Sequence, residues 1–367
     1  MQARLRSRAS IALGNPVWYN SYPRRGATES IPIVIIESSA PTRVDLAGGT
    51  IDIWPIYLFH PGAMTVNFAL SLRARVRIET RDDDRIILES RDRGVRVETT
   101  IERMDELAND EQIEMVSKMV NFFRPEIGFH LVAESEAPAG AGIAGSSALA
   151  IALIGGLNRL VGNRYDARKF ITIAANIEST VIRVPAGFQD YYPAFYGSTS
   201  CIHFRPDGIE REHLTVDEAE LERRFVICYT GEPRNSGINN WEIFKRHIDG
   251  DAELFEIFER IREAATRMRA ALLANDWKSI AETMRDAYPN RKRLAPGITT
   301  PQMDRLVEKA LANGAEAAKV CGAGGGGCIA FLCAEGRQQD VEGALTEEAG
   351  AEILNWTISR EGLMVES

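Results

Sequence analysis

A glycine-rich segment at residues 138–147 limits the choice of fold more than any other part of the chain. It reads Pro-Ala-Gly-Ala-Gly-Ile-Ala-Gly-Ser-Ser and lies between an apolar run at 127–132 and a helical pattern that begins near Ser146. A strand, a glycine loop and a helix in this order form an anion cradle. Glycines turn backbone N–H groups inward, and the helix N-terminus carries a partial positive charge. The segment therefore predicts a site for a phosphate-bearing ligand.

The same loop also fits the G-x-G-x-x-G pattern of dinucleotide-binding folds, through Gly140, Gly142 and Gly145. That fold requires an acidic residue at the end of the next strand, about 20 residues further on. Here a second helical pattern follows at 166–180, with Asp166 as its expected N-cap. The sequence thus favours a kinase-type phosphate loop over a dinucleotide site, and a purely structural glycine turn stays open as an alternative.

A second glycine loop occupies residues 321–328 and reads Cys-Gly-Ala-Gly-Gly-Gly-Gly-Cys. Two short strands are predicted on either side of it, at 316–320 and 328–333. A turn between two strands needs one or two glycines, so the density here indicates that a ligand or another backbone approaches closely. A crowded hairpin against the rest of the protein remains the alternative.

A third segment, residues 40–52, reads Ala-Pro-Thr-Arg-Val-Asp-Leu-Ala-Gly-Gly-Thr-Ile-Asp. Because side chains alternate along a strand, Arg43 and Asp45 are expected on one face. Gly48 and Gly49 then turn the chain and present Asp52. An aspartate that is simply favoured by the turn is the alternative for Asp52.

The composition excludes several classes of function. A chain of 367 residues is expected to form two lobes. The net charge of −9 argues against a nucleic-acid surface, and no apolar run approaches the roughly 20 residues that span a bilayer. The five cysteines lack C-x-x-C spacing, so they are interpreted as buried thiols in a reducing, cytoplasmic compartment rather than as disulfides or a zinc site. The histidines are scattered and indicate neither a metal site nor a catalytic dyad; they are His60, His130, His203, His213 and His247.

Hydrophobic periodicity and turn residues predict an α+β protein, with strands and helices in blocks. Residues 1–30 are expected to form a loosely attached extension, with a docking arm as the alternative. The predicted strands are 33–37, 43–47, 64–71, 73–79, 85–89, 127–132, 223–229, 316–320, 328–333 and 352–356. The predicted helices are 110–123, 146–161, 166–180 and 338–349, with a largely helical region at 235–311.

Taken in order, the three segments resemble the three motifs of the GHMP kinase superfamily, named for galactokinase, homoserine, mevalonate and phosphomevalonate kinases. Residues 41–52 are similar to motif one, 138–148 to motif two and 319–332 to motif three. The resemblance extends from about residue 33 onward. It implies a two-lobed α+β fold with a β-rich N-terminal ATP-binding domain at 31–205, which carries the phosphate loop. An α/β C-terminal domain follows at 206–367, and the active site lies in the cleft between the lobes.

Further details resemble the sugar kinases that phosphorylate an anomeric hydroxyl. Ala-Gly-Gly-Thr at 47–50, Glu178 followed by Gln189-Asp190, and Tyr-Thr-Gly at 229–231 are similar to heptose-phosphate kinases and fucokinases. The loop at 142–147 also resembles that of glucuronokinases. The resemblance implies phosphorylation of the C1 hydroxyl of a heptose, heptose-phosphate, 6-deoxyhexose or uronic acid. A non-sugar alcohol such as mevalonate and a non-catalytic binding protein stay open.

The chain departs from two family patterns. Galactokinases carry Glu-His where this chain has Gly49 and Thr50, which disfavours galactose. Heptose-phosphate kinases often carry a lysine where this chain has Phe188, which weakens the case for an acceptor that already bears a phosphate.

The resemblance also implies roles for individual residues. Asp190 is expected to be the base, with Arg43 between it and the γ-phosphate, and Ser147 and Glu178 are expected to hold Mg²⁺, with Ser146 the less favoured ligand. The ATP phosphates are assigned to Gly140, Ala141, Gly142, Ile143, Ala144, Gly145, Ser146 and Ser147. Substrate contacts are assigned to Asp52, Gly49, Gln189, Arg234, Gly324 and Gly325, with Asn235 and Asn239 near the same place. The implied partners are ATP, Mg²⁺ and a small sugar; a homodimer is compatible with these expectations.

Overall fold

A computed structural model describes residues 33–109, 111–234 and 240–367 of the chain. The extension predicted at 1–30, together with Asn235 and Asn239, lies outside the described residues.

The described residues form an α+β fold, as the sequence predicts. The strands are β1 (Ile35–Ala47), β2 (Met64–Arg81), β3 (Arg85–Ser90), β4 (Val95–Thr100), β5 (Gly128–Ser135), β6 (Thr199–Arg205), β7 (Gly208–His213), β8 (Phe225–Tyr229), β9 (Ala315–Val320), β10 (Cys328–Cys333), β11 (Glu352–Ile353) and β12 (Met364–Glu366). The helices are α1 (Glu114–Phe123), α2 (Gly145–Leu160), α3 (Phe170–Ile182), α4 (Tyr191–Tyr196), α5 (Glu218–Arg224), α6 (Asn240–Ile248), α7 (Ala252–Leu273), α8 (Trp277–Leu294), α9 (Pro301–Ala312) and α10 (Gln338–Thr346).

The first sheet is built around two long strands. Its order is β12-β1-β2-β5-β3-β4, and the β6–β7 hairpin pairs with the other half of β2. The prediction of two short strands in place of β1, and of two in place of β2, is wrong because both strands run through the expected breaks. The β1–β2 register shifts between Pro41 and Arg43, so a bulge accommodates the proline, which has no N–H to donate.

Helix α2 is held tightly against this sheet, which fixes the glycine loop that precedes it. The Ser38 hydroxyl donates to the Ala152 carbonyl at 2.8 Å. A Cβ on Gly155 would lie 2.8 Å from Ser38 Oγ, so glycine allows this close approach of helix and strand. These contacts hold the middle of α2 against β1, the strand that also carries Arg43.

The second sheet has the order β11-β8-β10-β9 and is covered by helices of the C-terminal half. The strand predicted at 223–229 begins only at Phe225, because α5 continues to Arg224. Asp217 is the N-cap of α5, and its side chain accepts from the Glu220 N–H. The capped helix therefore includes the first two residues of the predicted strand.

The end of the chain returns to the first lobe. Strand β12, which was not predicted, pairs with β1, and the Ser71 N–H donates to the Thr357 carbonyl at 2.8 Å. The domain boundary expected between 205 and 206 falls in the β6–β7 turn, and both strands of this hairpin belong to the first sheet. Within the described residues, every helix is too short or too polar to cross a membrane.

Candidate active site

The loop of motif two has a backbone that only a glycine-rich sequence adopts easily. Gly140 and Gly142 have φ values of +70° and +77°, and Ala144 is left-handed at +63° just before α2. The N–H groups of residues 145–147 form the first turn of α2 and so have no intrahelical acceptor. These N–H groups and the helix dipole favour an anion at this point.

Carbonyl groups of the same loop tie it to three other segments. The bonds run from the Arg234 N–H to Gly140 O (3.0 Å), from the Cys328 N–H to Ala141 O (2.7 Å) and from the Arg43 N–H to Ile143 O (3.0 Å). Because its carbonyls are used in this way, the loop is anchored before any ligand binds.

The loop of motif three packs directly against the loop of motif two. A Cβ on Gly322 would lie 2.7 Å from Gly142 O, and one on Gly327 would lie 2.7 Å from Ala141 O. Gly324 and Gly325 instead face Ile298, whose carbonyl accepts from the Gly325 N–H at 2.9 Å. The density of glycines thus reflects the close approach of other backbone segments, which was one of the two readings favoured by the sequence.

Arg43 connects Asp190 to the motif-two loop. Its Nε and Nη2 both donate to Asp190 Oδ1, at 2.8 and 2.6 Å, and its Nη1 donates to Gly142 O at 3.1 Å. Arg43 is buried, whereas the Asp190 side chain is 27% exposed. Among the described residues Asp190 Oδ2 has no hydrogen-bond donor, so one carboxylate oxygen remains unpaired.

Glu178 lies beside the start of α2 and collects three hydroxyl groups. It accepts from Ser146 at 2.7 Å, from Ser147 at 3.2 Å and from Tyr191 at 2.6 Å. Burial raises the pKa of Glu178, although these hydrogen bonds oppose the rise. Within the described part of the chain no lysine or arginine pairs with this carboxylate, so a buried negative charge is left without a cation.

Asp52 is a second buried carboxylate and lies close to Asp190. It accepts from the Thr50 N–H at 3.1 Å and from the Gln189 N–H at 3.0 Å. Burial, and then the nearby charge of Asp190, raise its pKa to about 6. Gly49 adjoins the same group, since a Cβ there would lie 3.4 Å from Gln189 Nε2. Gln189 Oε1 is buried and has no hydrogen-bond partner among the described residues.

Two basic residues at this site were not predicted from the sequence. Lys319 Nζ lies 2.8 Å from Asp45. Burial alone would raise the pKa of Asp45, but Lys319 and Arg43 outweigh it and hold the pKa below its ordinary value. Lys319 stands at the start of motif three, so its position in the motif was a usable signal.

Arg291 of α8 bridges motif one and motif three. It donates to the Thr50 hydroxyl and, at 2.6 Å, to the Gly322 carbonyl, and burial lowers its pKa. No spacing in α8 distinguishes this arginine from its neighbours, so the sequence offered no signal for it. Arg234 is half-buried, and its side chain lies near Gly322.

Two of the histidines that are scattered in the sequence lie in contact in the structure. His60 Nε2 and His247 Nε2 are 2.8 Å apart, and Glu259 Oε1 lies 2.5 Å from His60 Nδ1. The two rings are 187 positions apart in sequence, and only the packing of α6 and α7 against residues 56–60 brings them together.

The comparisons with known proteins agree with this architecture. The model for the GHMP kinases N terminal domain matches residues 114–198, and the model for the GHMP kinases C terminal domain matches residues 268–351. The D-glycero-alpha-D-manno-heptose 7-phosphate kinase of Campylobacter jejuni is 26% identical over 337 residues, covering 89% of this chain and 98% of that protein. The mevalonate kinase of Thermococcus onnurineus is 26% identical over 346 residues, covering 90% and 98%.

A solved structure shares the fold. The D-glycero-D-manno-heptose 1-phosphate kinase of Bacteroides thetaiotaomicron superposes with a TM-score of 0.72 at 22% identity, covering 90% of this chain and 99% of that one. The chain belongs to the GHMP kinases. It is an ATP-dependent kinase with the α+β fold of that family.

Proposed function

We propose that this protein transfers the γ-phosphoryl group of ATP to the anomeric C1 hydroxyl of a sugar. The observation that carries the proposal is the position of Arg43, which contacts both Asp190 and the carbonyl of Gly142 in the glycine loop. A candidate base and a candidate phosphate cradle therefore adjoin each other. Proximity of this kind is the main requirement of phosphoryl transfer, which needs positioning and charge neutralisation more than covalent help from the protein.

The acceptor side is lined by polar groups that suit a polyhydroxylated ligand. Asp52 and Gln189 lie together next to Gly49, and Gln189 Oε1 is a buried acceptor without a donor in the described structure. Buried polar atoms are normally hydrogen-bonded, so an unused acceptor beside the candidate base favours a ligand that supplies hydroxyl groups. The similarity to a heptose 7-phosphate kinase supports the same class of acceptor.

In the proposed reaction Asp190 Oδ2 accepts the proton of the C1 hydroxyl. The C1 oxygen forms a bond to the γ-phosphorus while the bond from that phosphorus to the bridging oxygen of ATP breaks, and ADP leaves. An anomeric hydroxyl is more acidic than an ordinary alcohol, so a carboxylate is an adequate base. Arg43 holds Asp190 in place through two hydrogen bonds and offsets the negative charge that develops on the transferred group.

The residues around Glu178 fit a magnesium ion. The donor set consists of oxygens, which Mg²⁺ prefers, and the carboxylate is buried without a compensating cation among the described residues. Glu178 and the hydroxyls of Ser147 and Ser146 would hold the ion; Ser146 lies nearer to the carboxylate and is exposed, while Ser147 is buried. The ion would neutralise phosphate charge. Glu178→Gln should raise the Mg²⁺ concentration needed for half-maximal activity, whereas an unchanged Mg²⁺ dependence would contradict this assignment.

Mevalonate is the second candidate acceptor, favoured by the match to an archaeal mevalonate kinase along nearly its whole length. The deciding experiment incubates the full chain with ATP, Mg²⁺ and single acceptors: heptoses, their 7-phosphates, fucose, glucuronate and mevalonate. Phosphorus and proton NMR of the product identify the oxygen that carries the phosphate. A C1-phosphate on a sugar supports the proposal. Turnover of mevalonate alone, or phosphorylation away from C1, would overturn it.

A further inference from the structure

A group of four metal-binding side chains lies on one face of the first sheet, outside the candidate active site. Cys201 and His203 are two positions apart on β6 and so point to the same side. Glu212 on β7 stands directly opposite Cys201 in the pairing of the two strands. Met64 on β2 stands directly opposite His203. The register of three neighbouring strands therefore brings one thiol, one imidazole, one carboxylate and one thioether together.

The distances between these donor atoms suit a single small ion. One ligand atom from each of Cys201, His203 and Glu212 lies within 4.8 Å of the others. His203 Nε2 is 2.8 Å from Glu212 Oε2, and Cys201 Sγ is 3.6 Å from Met64 Sδ. Ligands bound to a tetrahedral zinc ion at about 2.0–2.3 Å are themselves separated by distances of this order. Small rotations of the side chains would suffice to enclose an ion.

The surroundings also have the character of a metal site. Arg269 of α7 donates to both oxygens of Glu212, at 2.6 and 2.5 Å, as the outer partner of a ligating carboxylate does. Cys201 is fully buried, whereas the side chains of His203 and Glu212 are 19% and 31% exposed, which leaves a route from solvent. The thiol finds only the Met64 sulfur as a hydrogen-bond partner among the described residues.

We propose that Cys201 Sγ, His203 Nε2 and a carboxylate oxygen of Glu212 bind a zinc-like divalent metal ion, with Met64 Sδ on the remaining side. A mixed sulfur, nitrogen and oxygen set favours Zn²⁺ over Mg²⁺, which prefers oxygen ligands alone. A thiolate and a carboxylate together neutralise the ion. The thiol proton passes to solvent as the metal–sulfur bond forms. The bound ion would join β2 to the β6–β7 hairpin on the face of the sheet that α7 covers.

The test uses Co²⁺ as a spectroscopic substitute for Zn²⁺, in the full chain with any affinity tag removed and with excess Mg²⁺ to occupy oxygen-only sites. The expected result is one equivalent of Co²⁺ bound, with sulfur-to-cobalt charge-transfer absorption in the near ultraviolet. Cys201→Ser should abolish that absorption. Cys228→Ser is the matched control, because Cys228 is equally buried but lies in the second sheet. This control should leave the absorption intact.

His203→Gln gives an independent arm that keeps the buried core unchanged. The affinity for Zn²⁺, measured by displacement of Co²⁺, should fall at least about tenfold in this variant, with the circular dichroism spectrum preserved. Zn²⁺ should also raise the Tm of the unaltered chain in a concentration-dependent manner. The proposal is overturned if the unaltered chain shows no such absorption, if the absorption persists in Cys201→Ser, or if Cys228→Ser loses it as well. None of these outcomes depends on kinase turnover, so they do not bear on the proposed function.

Discussion

The ionisation of Asp52 should make acceptor binding and folding stability respond to pH in opposite directions. Burial and the charge of Asp190 raise the pKa of Asp52 from its ordinary value of 3.8 to about 6. At pH 7 the carboxylate is mostly ionised and can accept hydrogen bonds from sugar hydroxyls. At pH 5 only about one molecule in eleven keeps that charge, because each unit below the pKa reduces ionisation about tenfold. The kcat/KM for the acceptor should therefore fall about tenfold between pH 7 and pH 5.

The free energy of unfolding should instead increase as the pH falls. Between pH 3.8 and about 6 the folded protein binds a proton at Asp52 that the unfolded chain does not bind, so this group stabilises the fold as the pH falls. From the two pKa values, the contribution between pH 7.5 and pH 4.5 amounts to about 2 kcal/mol. It is lost again as the pH rises through the folded pKa near 6.

Asp52→Asn isolates both effects, since asparagine does not titrate. Urea unfolding of the two proteins should give a difference in unfolding free energy that changes by about 2 kcal/mol over this pH range, whatever its absolute offset. The acid limb in acceptor kcat/KM should disappear in the variant, with the KM for ATP little altered. A variant that keeps the same acid limb, or a stability difference that does not vary with pH, would contradict the raised pKa of Asp52.

Three further perturbations test other contacts. Asp190→Asn should lower kcat by about 10²–10⁴-fold while the KM for ATP stays within about twofold, and unchanged turnover in a coupled ADP assay would remove Asp190 as the base. Lys319→Met should cost about 3 kcal/mol in urea unfolding, because it leaves the buried Asp45 carboxylate without its partner at 2.8 Å. A second change, Asp45→Asn, should recover most of that loss; additive losses would show that the pair does not act as a unit. Gly142→Ala places a Cβ 2.7 Å from backbone of the second glycine loop at a φ of +77°, so it should lower stability by about 1–3 kcal/mol and raise the KM for ATP. Gly343→Ala, in open space on α10, is the control that should be neutral or stabilising, and equal effects of the two changes would argue against the close approach.

Local sequence patterns predicted the helices and strands in which apolar residues recur with a regular period. The helix from 145 to 160 and the strand from Cys328 to Cys333 were recognisable because their apolar residues recur over the whole element. The sequence-based prediction divided long strands that are continuous in the structure. A proline such as Pro41 is typical of a strand end, and the bulge that accommodates it is visible only in the structure. Strand β12 has three residues and exists only because β1 offers it an edge. Sequence periodicity carries no information about such a partner.

The residues of the candidate site also comprise some that the sequence predicts and others that it does not. Gly140 could be named from the glycine loop itself, whereas Asp190 and Glu178 could be named because the chain resembles the GHMP kinases. Arg291 could not, because it reaches Thr50 and Gly322 from a helix in which many other residues are charged. The cluster at Cys201 could not either, because its members are joined by strand register rather than by sequence spacing.

By itself the sequence predicted a strand that presents Arg43 and Asp45 on one face and two glycine loops, of which the loop at 138–147 suits a phosphate and the loop at 321–328 suits the close approach of a ligand or another backbone. The reason is local: these backbones need φ values that glycine allows, and a helix N-terminus attracts anions wherever it lies. Only the tertiary structure decided which charges face each other. Lys319 neutralises Asp45 across the two lobes, Asp52 is buried beside Asp190, and Glu178 is buried with hydroxyls alone around it. Burial and charge pairing depend on distances between remote segments, and these distances set the pKa values and the chemistry of the site.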